Sequence, residues 1–255
     1  GYARVLPSGS VSGLGIESQQ SMSEFTFAQI GVIRSPWKEK FAVPRQPGLV
    51  QDGGGELHLL PPYNQPEAVR GLEAFSHLWL LFVFHQTMAG GWRPTVRPPR
   101  LGGNARMGVF ATRSTFRPNP IGMSLVELKE IRLEKQQVIL QLGSLDLVDG
   151  TPIVDIKPYL PFAEALPEAR AGFAQAAPAA TMPVRFSALA QEQLQQHARY
   201  PHLARFIRDV LAQDPRPAYR QGQAEEREYA AWLMDFNVRW RIDDAGTEVI
   251  AIDPR

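Results

Sequence analysis

Residues His77–His85 read HLWLLFVFH, and the reading of this stretch decides the fold. The apolar run Leu78–Phe84 is unbroken but far short of the roughly 20 residues that a membrane helix needs. A short continuous apolar run marks a strand buried on both faces. Working outward, Phe27–Arg34 (FAQIGVIR) is a strand stopped by Ser35-Pro36. Asp52–Gly55 (DGGG) is a turn into a strand over Glu56–Leu60. Met107–Thr112, Met123–Leu133, Gln137–Leu145 and Ile153–Lys157 read as further strands, the middle two paired around Lys135-Gln136. Pro66–Ala74 reads as one short helix. Strands do not alternate with helices, so the expected fold is mainly β. Residues 22–160 should form a small, single-sheeted antiparallel β-barrel.

The rest of the chain changes character. Residues 161–183 are rich in Ala and Pro without periodicity and read as a linker. Residues 184–255 read as a smaller α+β domain. Two amphipathic helices, Ala188–Arg199 behind Ser187 as cap and Leu203–Gln213, precede a closing hairpin, Glu228–Arg241 and Glu248–Ile252. Phe236, Val238, Trp240 and Ile242 alternate onto one face. Residues 1–21 are Gly/Ser-rich, aperiodic and followed by Met22, so they read as an extension outside the fold.

Composition excludes several functions. With no cysteine among 255 residues, disulfides, thiolate zinc sites, iron–sulfur clusters and cysteine nucleophiles are out. No histidine pair has zinc-ligand spacing, so no metal is expected. No Gly-x-Gly-x-x-Gly, Walker or Gly-x-Ser-x-Gly motif occurs. The absence of a signal-like or membrane-spanning segment makes the expected compartment the cytoplasm. The net charge of +1 hides an asymmetry. The 53 residues from Ala74 to Val126 contain no Asp or Glu but hold Arg93, Arg97, Arg100, Arg106, Arg113 and Arg117. Guanidinium groups suit bidentate phosphate contact and base stacking, so a phosphate-rich partner is expected.

Three stretches concentrate reactive side chains. Ala111–Gly122 (ATRSTFRPNPIG) is an arginine-bearing loop stiffened by Pro118 and Pro120. Leu145–Tyr159 (LDLVDGTPIVDIKPY) sets Asp146, Asp149 and Asp155 among apolar residues, which by itself reads as strand, turn and strand. Asp214–Tyr219 (DPRPAY) combines a carboxylate, a guanidinium and a phenol within six residues that include two prolines.

Together, IGVIRSPWKEKFAVPRQPG, GLEAFSHLWLLFVFHQT, FATRSTFRPNPIG and DLVDGTPIVDIKPY resemble the TsaA-like (YaeB/VirR) family. DPRPAY narrows the resemblance to that family's bacterial tRNA methyltransferases. It covers residues 24–255. The resemblance implies a homodimer that binds S-adenosylmethionine on a small β-barrel. It also implies a substrate: N6-threonylcarbamoyladenosine next to the anticodon of threonine tRNA, which receives an N6-methyl group. The implied cofactor residues are Arg45, Gln46 and Pro47, His85 and Gln86, Arg113, Met123, and Asp146, Leu147, Val148 and Asp149. Arg93, Arg97, Arg100, Arg106 and Arg117 are expected to contact the tRNA. Unpaired bases could stack on Trp92 or Phe116, with packing the favoured role for Phe116. Because the acceptor is a ureido N–H, a general base is expected, either Asp214 or Tyr219, with Arg216 gripping the threonyl carboxylate or a phosphate. Two other readings stay open: a non-catalytic RNA-binding barrel, and a methyltransferase using the same cofactor on a small molecule or protein.

Overall fold

The computed structural model describes residues 23–39, 43–44, 53–177, 182–216 and 225–255. Its first unit is a closed barrel of six antiparallel strands in the order β1-β2-β7-β6-β3-β8. The strands are β1 Gly31–Arg34, β2 Gly54–Leu59, β3 His77–Val83, β6 Ile121–Glu134, β7 Gln137–Ser144 and β8 Pro152–Pro158. Leu78, Leu80 and Phe82 of β3 point inward with Ile33, Leu57, Val126, Leu140, Leu142 and Ile153, and these residues fill the barrel. Such burial of apolar surface is the main term holding the barrel together.

The structure corrects the reading of β3 as buried on both faces. Leu78, Leu80 and Phe82 are buried, whereas Trp79, Leu81 and Val83 are partly exposed on the outer face. An apolar run of this kind therefore reports an apolar outer surface as well as a core. The expected helix Pro66–Ala74 is two 3-10 turns, Pro66–Val69 and Leu72–Ala74, divided at Gly71, whose φ is 87°. The β6–β7 hairpin turns at Lys135 (φ 43°) and Gln136 (φ 67°), the two positive-φ positions of a type I′ turn. The glycine turn before β2 is shorter than expected, because Gly54 and Gly55 already lie in the strand. A Cβ on Gly55 would lie 2.3 Å from the Arg34 carbonyl oxygen, so only glycine admits this approach.

The expected strand Met107–Thr112 survives only as β5 Met107–Gly108, paired with β4 Thr95–Val96 across the arginine loop. A 3-10 turn, Val109–Ala111, follows. The expected linker is partly structured. It begins with a short helix, α1 Pro161–Glu164, and carries a turn at Gly172–Ala174.

The C-terminal unit is α+β. β9 Val184–Phe186, α2 Ala188–Gln196, α3 Leu203–Ala212, β10 Glu225–Leu233, β11 Phe236–Asp243 and β12 Gly246–Pro254 form a sheet ordered β10-β11-β12-β9 under two helices. Ser187 caps α2 by accepting from the Ala190 N–H at 3.1 Å. The stretch Glu228–Arg241 is two strands and not one, because the chain turns at Met234, φ 53°. Phe236, Val238, Trp240 and Ile242 are all buried on one face, as their alternation requires. Trp37, between β1 and the first loop, belongs to this second core: it is fully buried and its ring stacks on Phe206 at 5.0 Å.

Candidate active site

The constellation begins where β6 and β7 leave the barrel at the end facing the arginine loop. Gly122 is the pivot. A Cβ there would meet Phe82 Cζ at 2.3 Å and Phe84 Cζ at 2.7 Å, so the loop Ala111–Gly122 returns to the barrel directly against two aromatic rings. The next inward residue of β6 is the buried Ser124. Its hydroxyl donates to Asp146 Oδ1 at 2.5 Å. Burial raises the Asp146 carboxyl from its ordinary 3.8 to about 6. The Ser124 hydrogen bond, a backbone hydrogen bond and the Arg113 guanidinium oppose that rise. A partly buried carboxylate left short of compensation is a receptor for a cation. Arg113 itself is exposed.

The neighbouring residues of the stretch do different work. Leu147 is buried, and its carbonyl accepts from Ser35 Oγ at 2.7 Å. The Val148 carbonyl accepts from Thr151 Oγ1 at 2.6 Å. Asp149 Oδ1 accepts from the Ser35 N–H at 2.9 Å, and its Oδ2 pairs with Lys38 Nζ at 3.2 Å. Asp149 thus clamps the segment that follows β1. Arg45, Gln46 and Pro47 lie outside the described residues. His85 and Gln86 are exposed just beyond β3. Met123 is 47 % exposed on the outer face of β6, opposite Leu81 of β3. It borders an apolar groove with Trp79, Leu81 and Leu160. Trp79 donates its indole N–H to Glu164 at the rim.

The arginines divide in the same way. Arg93, Arg97 and Arg106 are exposed, and Arg106 donates to Thr95 Oγ1 at 3.1 Å. Arg93 lies over the Phe116 ring at 4.5 Å. Arg100 donates to the Ala176 carbonyl at 2.6 Å, tying the arginine loop to the segment between the domains. Arg117 departs from the expectation of an RNA contact. Its Nη1 donates to the carbonyls of Thr112 at 2.7 Å and of Val109 and Ser114 at 3.3 Å each. This cation braces its own loop.

DPRPAY also departs from expectation. The Arg216 side chain is wholly buried, and its Nε and Nη2 each donate to an Asp214 carboxylate oxygen at 2.8 Å. Asp214 holds a left-handed conformation, φ 46°. Arg216 is therefore not open to grip a substrate carboxylate. Together with Tyr229, it anchors the loop from within. Tyr219 lies outside the described residues. Among the described residues no group of three or more His, Asp or Glu could hold a metal ion. The residues that sequence reading missed are Ser124, Lys38 and Trp37. Only the inward phase of β6 signals Ser124, and nothing local signals the other two.

Comparisons with known proteins place the chain in a family. Residues 32–165 match the model of the tRNA-methyltransferase O N-terminal domain, and residues 179–255 match that of the TrmO C-terminal domain. The chain is 74 % identical over 235 residues to the tRNA (adenine(37)-N6)-methyltransferase of Escherichia coli (strain K12), covering 92 % of this chain and all of that protein. It is 50 % identical to a putative S-adenosylmethionine-dependent methyltransferase, RcsF, of Pseudomonas aeruginosa, over 83 % of this chain and 90 % of that protein. The crystal structure of TrmO from Pseudomonas aeruginosa superposes with a TM-score of 0.75 at 40 % identity, covering 93 % of this chain and 100 % of that one. With both domain models matched in order and a full-length relative at this identity, the chain belongs to the tRNA-methyltransferase O family.

Proposed function

We propose that this protein is an S-adenosylmethionine-dependent tRNA methyltransferase that methylates N6 of the adenosine at position 37, next to the anticodon. The observation that carries the reading is the Asp146–Ser124 pair beside Arg113, on a barrel whose relative is 74 % identical along its whole length and named for this reaction. The residues present fit the cofactor. Asp146 suits its cationic amino end, and Arg113 suits its carboxylate. His85, Gln86 and Met123 border the same end of the barrel, and the backbone of Leu147, Val148 and Asp149 frames it. Arg45, Gln46 and Pro47 complete the set as the resemblance implies. S-adenosylmethionine supplies an electrophilic methyl group when bound.

The protein's own task is to hold the acceptor nitrogen in line and to take its proton. Asp214 is engaged by Arg216, so Tyr219 is the better candidate base, with the Asp214–Arg216 pair fixing the chain just before it. Arg93, Arg97 and Arg106 supply exposed positive charge toward tRNA phosphates. The finer substrate is N6-threonylcarbamoyladenosine in threonine tRNA, and the compartment is the cytoplasm. A homodimer is supported by the apolar groove on the outer face of β3, where Trp79 and Leu81 lie with Leu160. The deciding experiment is nucleoside mass spectrometry of threonine tRNA, with and without threonylcarbamoyl, after incubation with protein and S-adenosylmethionine. A new methyl on the modified nucleoside alone is expected. Cofactor binding without methylation of either tRNA would refute the reading.

A further inference from the structure

One large ring in the arginine loop serves neither the core nor the cofactor residues. Phe110 is 76 % exposed, an unfavourable place for an aromatic side chain unless something covers it. Its backbone is firmly fixed. It is the middle residue of the turn Val109–Ala111, whose Val109 carbonyl accepts from the Thr112 N–H and hydroxyl and from Arg117. The Arg117 guanidinium stands 5.9 Å from the Phe110 ring centroid. Trp92, 56 % exposed, is carried on the same block. The Val109 N–H donates to the Pro94 carbonyl at 3.0 Å, and the Arg93 N–H donates to that of Phe116 at 3.1 Å. Phe116 is already covered by Arg93, which leaves Phe110 and Trp92 as the open rings.

Two open rings on a cross-tied loop, within 53 residues that lack any carboxylate, complement a polyanion that offers flat faces. We propose that Phe110, seconded by Trp92, is a stacking platform for unpaired bases of the anticodon loop. It fixes the register of that loop beside Arg113, three residues further along the chain. The proposal rests on the tRNA methyltransferase reading and adds a positioning residue to it. Arg117 then acts indirectly, by holding the turn that presents the ring.

The test uses the full chain and an anticodon stem-loop carrying threonylcarbamoyladenosine, with 2-aminopurine at the unpaired positions beside it. Wild type should quench the 2-aminopurine. Phe110→Ala should bind the stem-loop roughly ten-fold more weakly, the scale of one lost base–aromatic stack. It should raise KM for tRNA more than it lowers kcat, with affinity for S-adenosylmethionine and melting temperature unchanged. Phe110→Trp should restore binding. Equal affinity of Phe110→Ala and wild type would overturn the platform, and so would a changed solution mass of Phe110→Ala, which would place the ring in self-association. If wild type itself neither binds nor methylates the RNA, the functional reading falls first. An active wild type with an unaffected Phe110→Ala removes only the platform.

Discussion

Trp37 of the barrel stacks on Phe206 of α3 at a centroid separation of 5.0 Å and an interplanar angle of 23°, inside the core of the other domain. Its indole N–H turns back to the Leu145 carbonyl at 2.9 Å, one residue before Asp146. The same side chain therefore joins the two cores and supports the backbone that carries the buried carboxylate. Trp37 also bridges to Leu233 in strand fashion, and the Met234 N–H donates to the Pro36 carbonyl at 3.1 Å. Trp37 thus joins the two units, with backbone hydrogen bonding beside it.

Trp37→Ala is expected to cost about 3–5 kcal/mol, the range for removing a fully buried large aromatic. Chemical denaturation would measure it. The substitution also frees the Leu145 carbonyl, so S-adenosylmethionine should bind more weakly. Trp37→Phe keeps the stacking and loses the hydrogen bond, and it should recover most of the stability but not all of the affinity.

Asp146→Asn separates function from stability. Burial lifts the Asp146 carboxyl to about 6, so between its ordinary 3.8 and that value the native fold keeps a proton that the unfolded chain has released. Stability from this group is therefore full below about pH 4 and is lost as pH rises through about 6. The neutral amide avoids that loss. Asp146→Asn should be more stable than wild type at pH 8, by on the order of 2–3 kcal/mol at most, and close to wild type at pH 4. It should lose S-adenosylmethionine binding at every pH. Thermal melts and calorimetry check both halves.

Ser124→Ala removes a hydrogen bond to the ionised form of Asp146 and so raises that carboxyl further. A cationic ligand requires the ionised form. Wild-type affinity for S-adenosylmethionine should fall as pH drops through about 6. In Ser124→Ala the fall should begin at a higher pH while high-pH affinity changes little. An unchanged midpoint in a titration of Kd against pH would refute the pairing as the source of the effect.

Arg216→Ala would leave the Asp214 carboxylate without the two guanidinium hydrogen bonds it has now. Breaking a buried pair by removing one partner costs about 3–5 kcal/mol. Arg216→Lys keeps a charge but not the two-pronged geometry and should recover only part of this. If the pair acts by positioning, Arg216→Lys should lower kcat while its pH profile keeps the wild-type midpoints. A displaced midpoint would instead place Arg216 at the proton transfer.

Much of the fold is legible because its signals are local. Alternation placed Phe236, Val238, Trp240 and Ile242 correctly, and the Lys135-Gln136 turn and the Ser187 cap were found from neighbouring residues alone. The departures arise where local signals are silent. A continuous apolar run does not reveal which face it presents, so by sequence β3 reads as buried on both sides. Glu228–Arg241 reads as one strand because Met234 carries no turn signature, although it adopts φ 53°. For the site, the acid-free window located the arginines without sorting them, since pattern cannot tell a guanidinium facing solvent from one bonded to three carbonyls of its own loop.

The sequence by itself determined the fold class, because it depends on periodicity, turn residues and motif order within a few neighbours. Tertiary structure decided what each charged side chain does. Asp146 becomes a poised carboxylate only because barrel closure sets Ser124, 22 positions earlier, against it. Asp149 becomes a clamp only because Ser35, 114 positions away, folds onto it. Arg216 is removed from solvent and paired with Asp214, whereas Phe110 is left in the open. These outcomes depend on burial and on partners distant in sequence, and desolvation and charge pairing take their size from such partners.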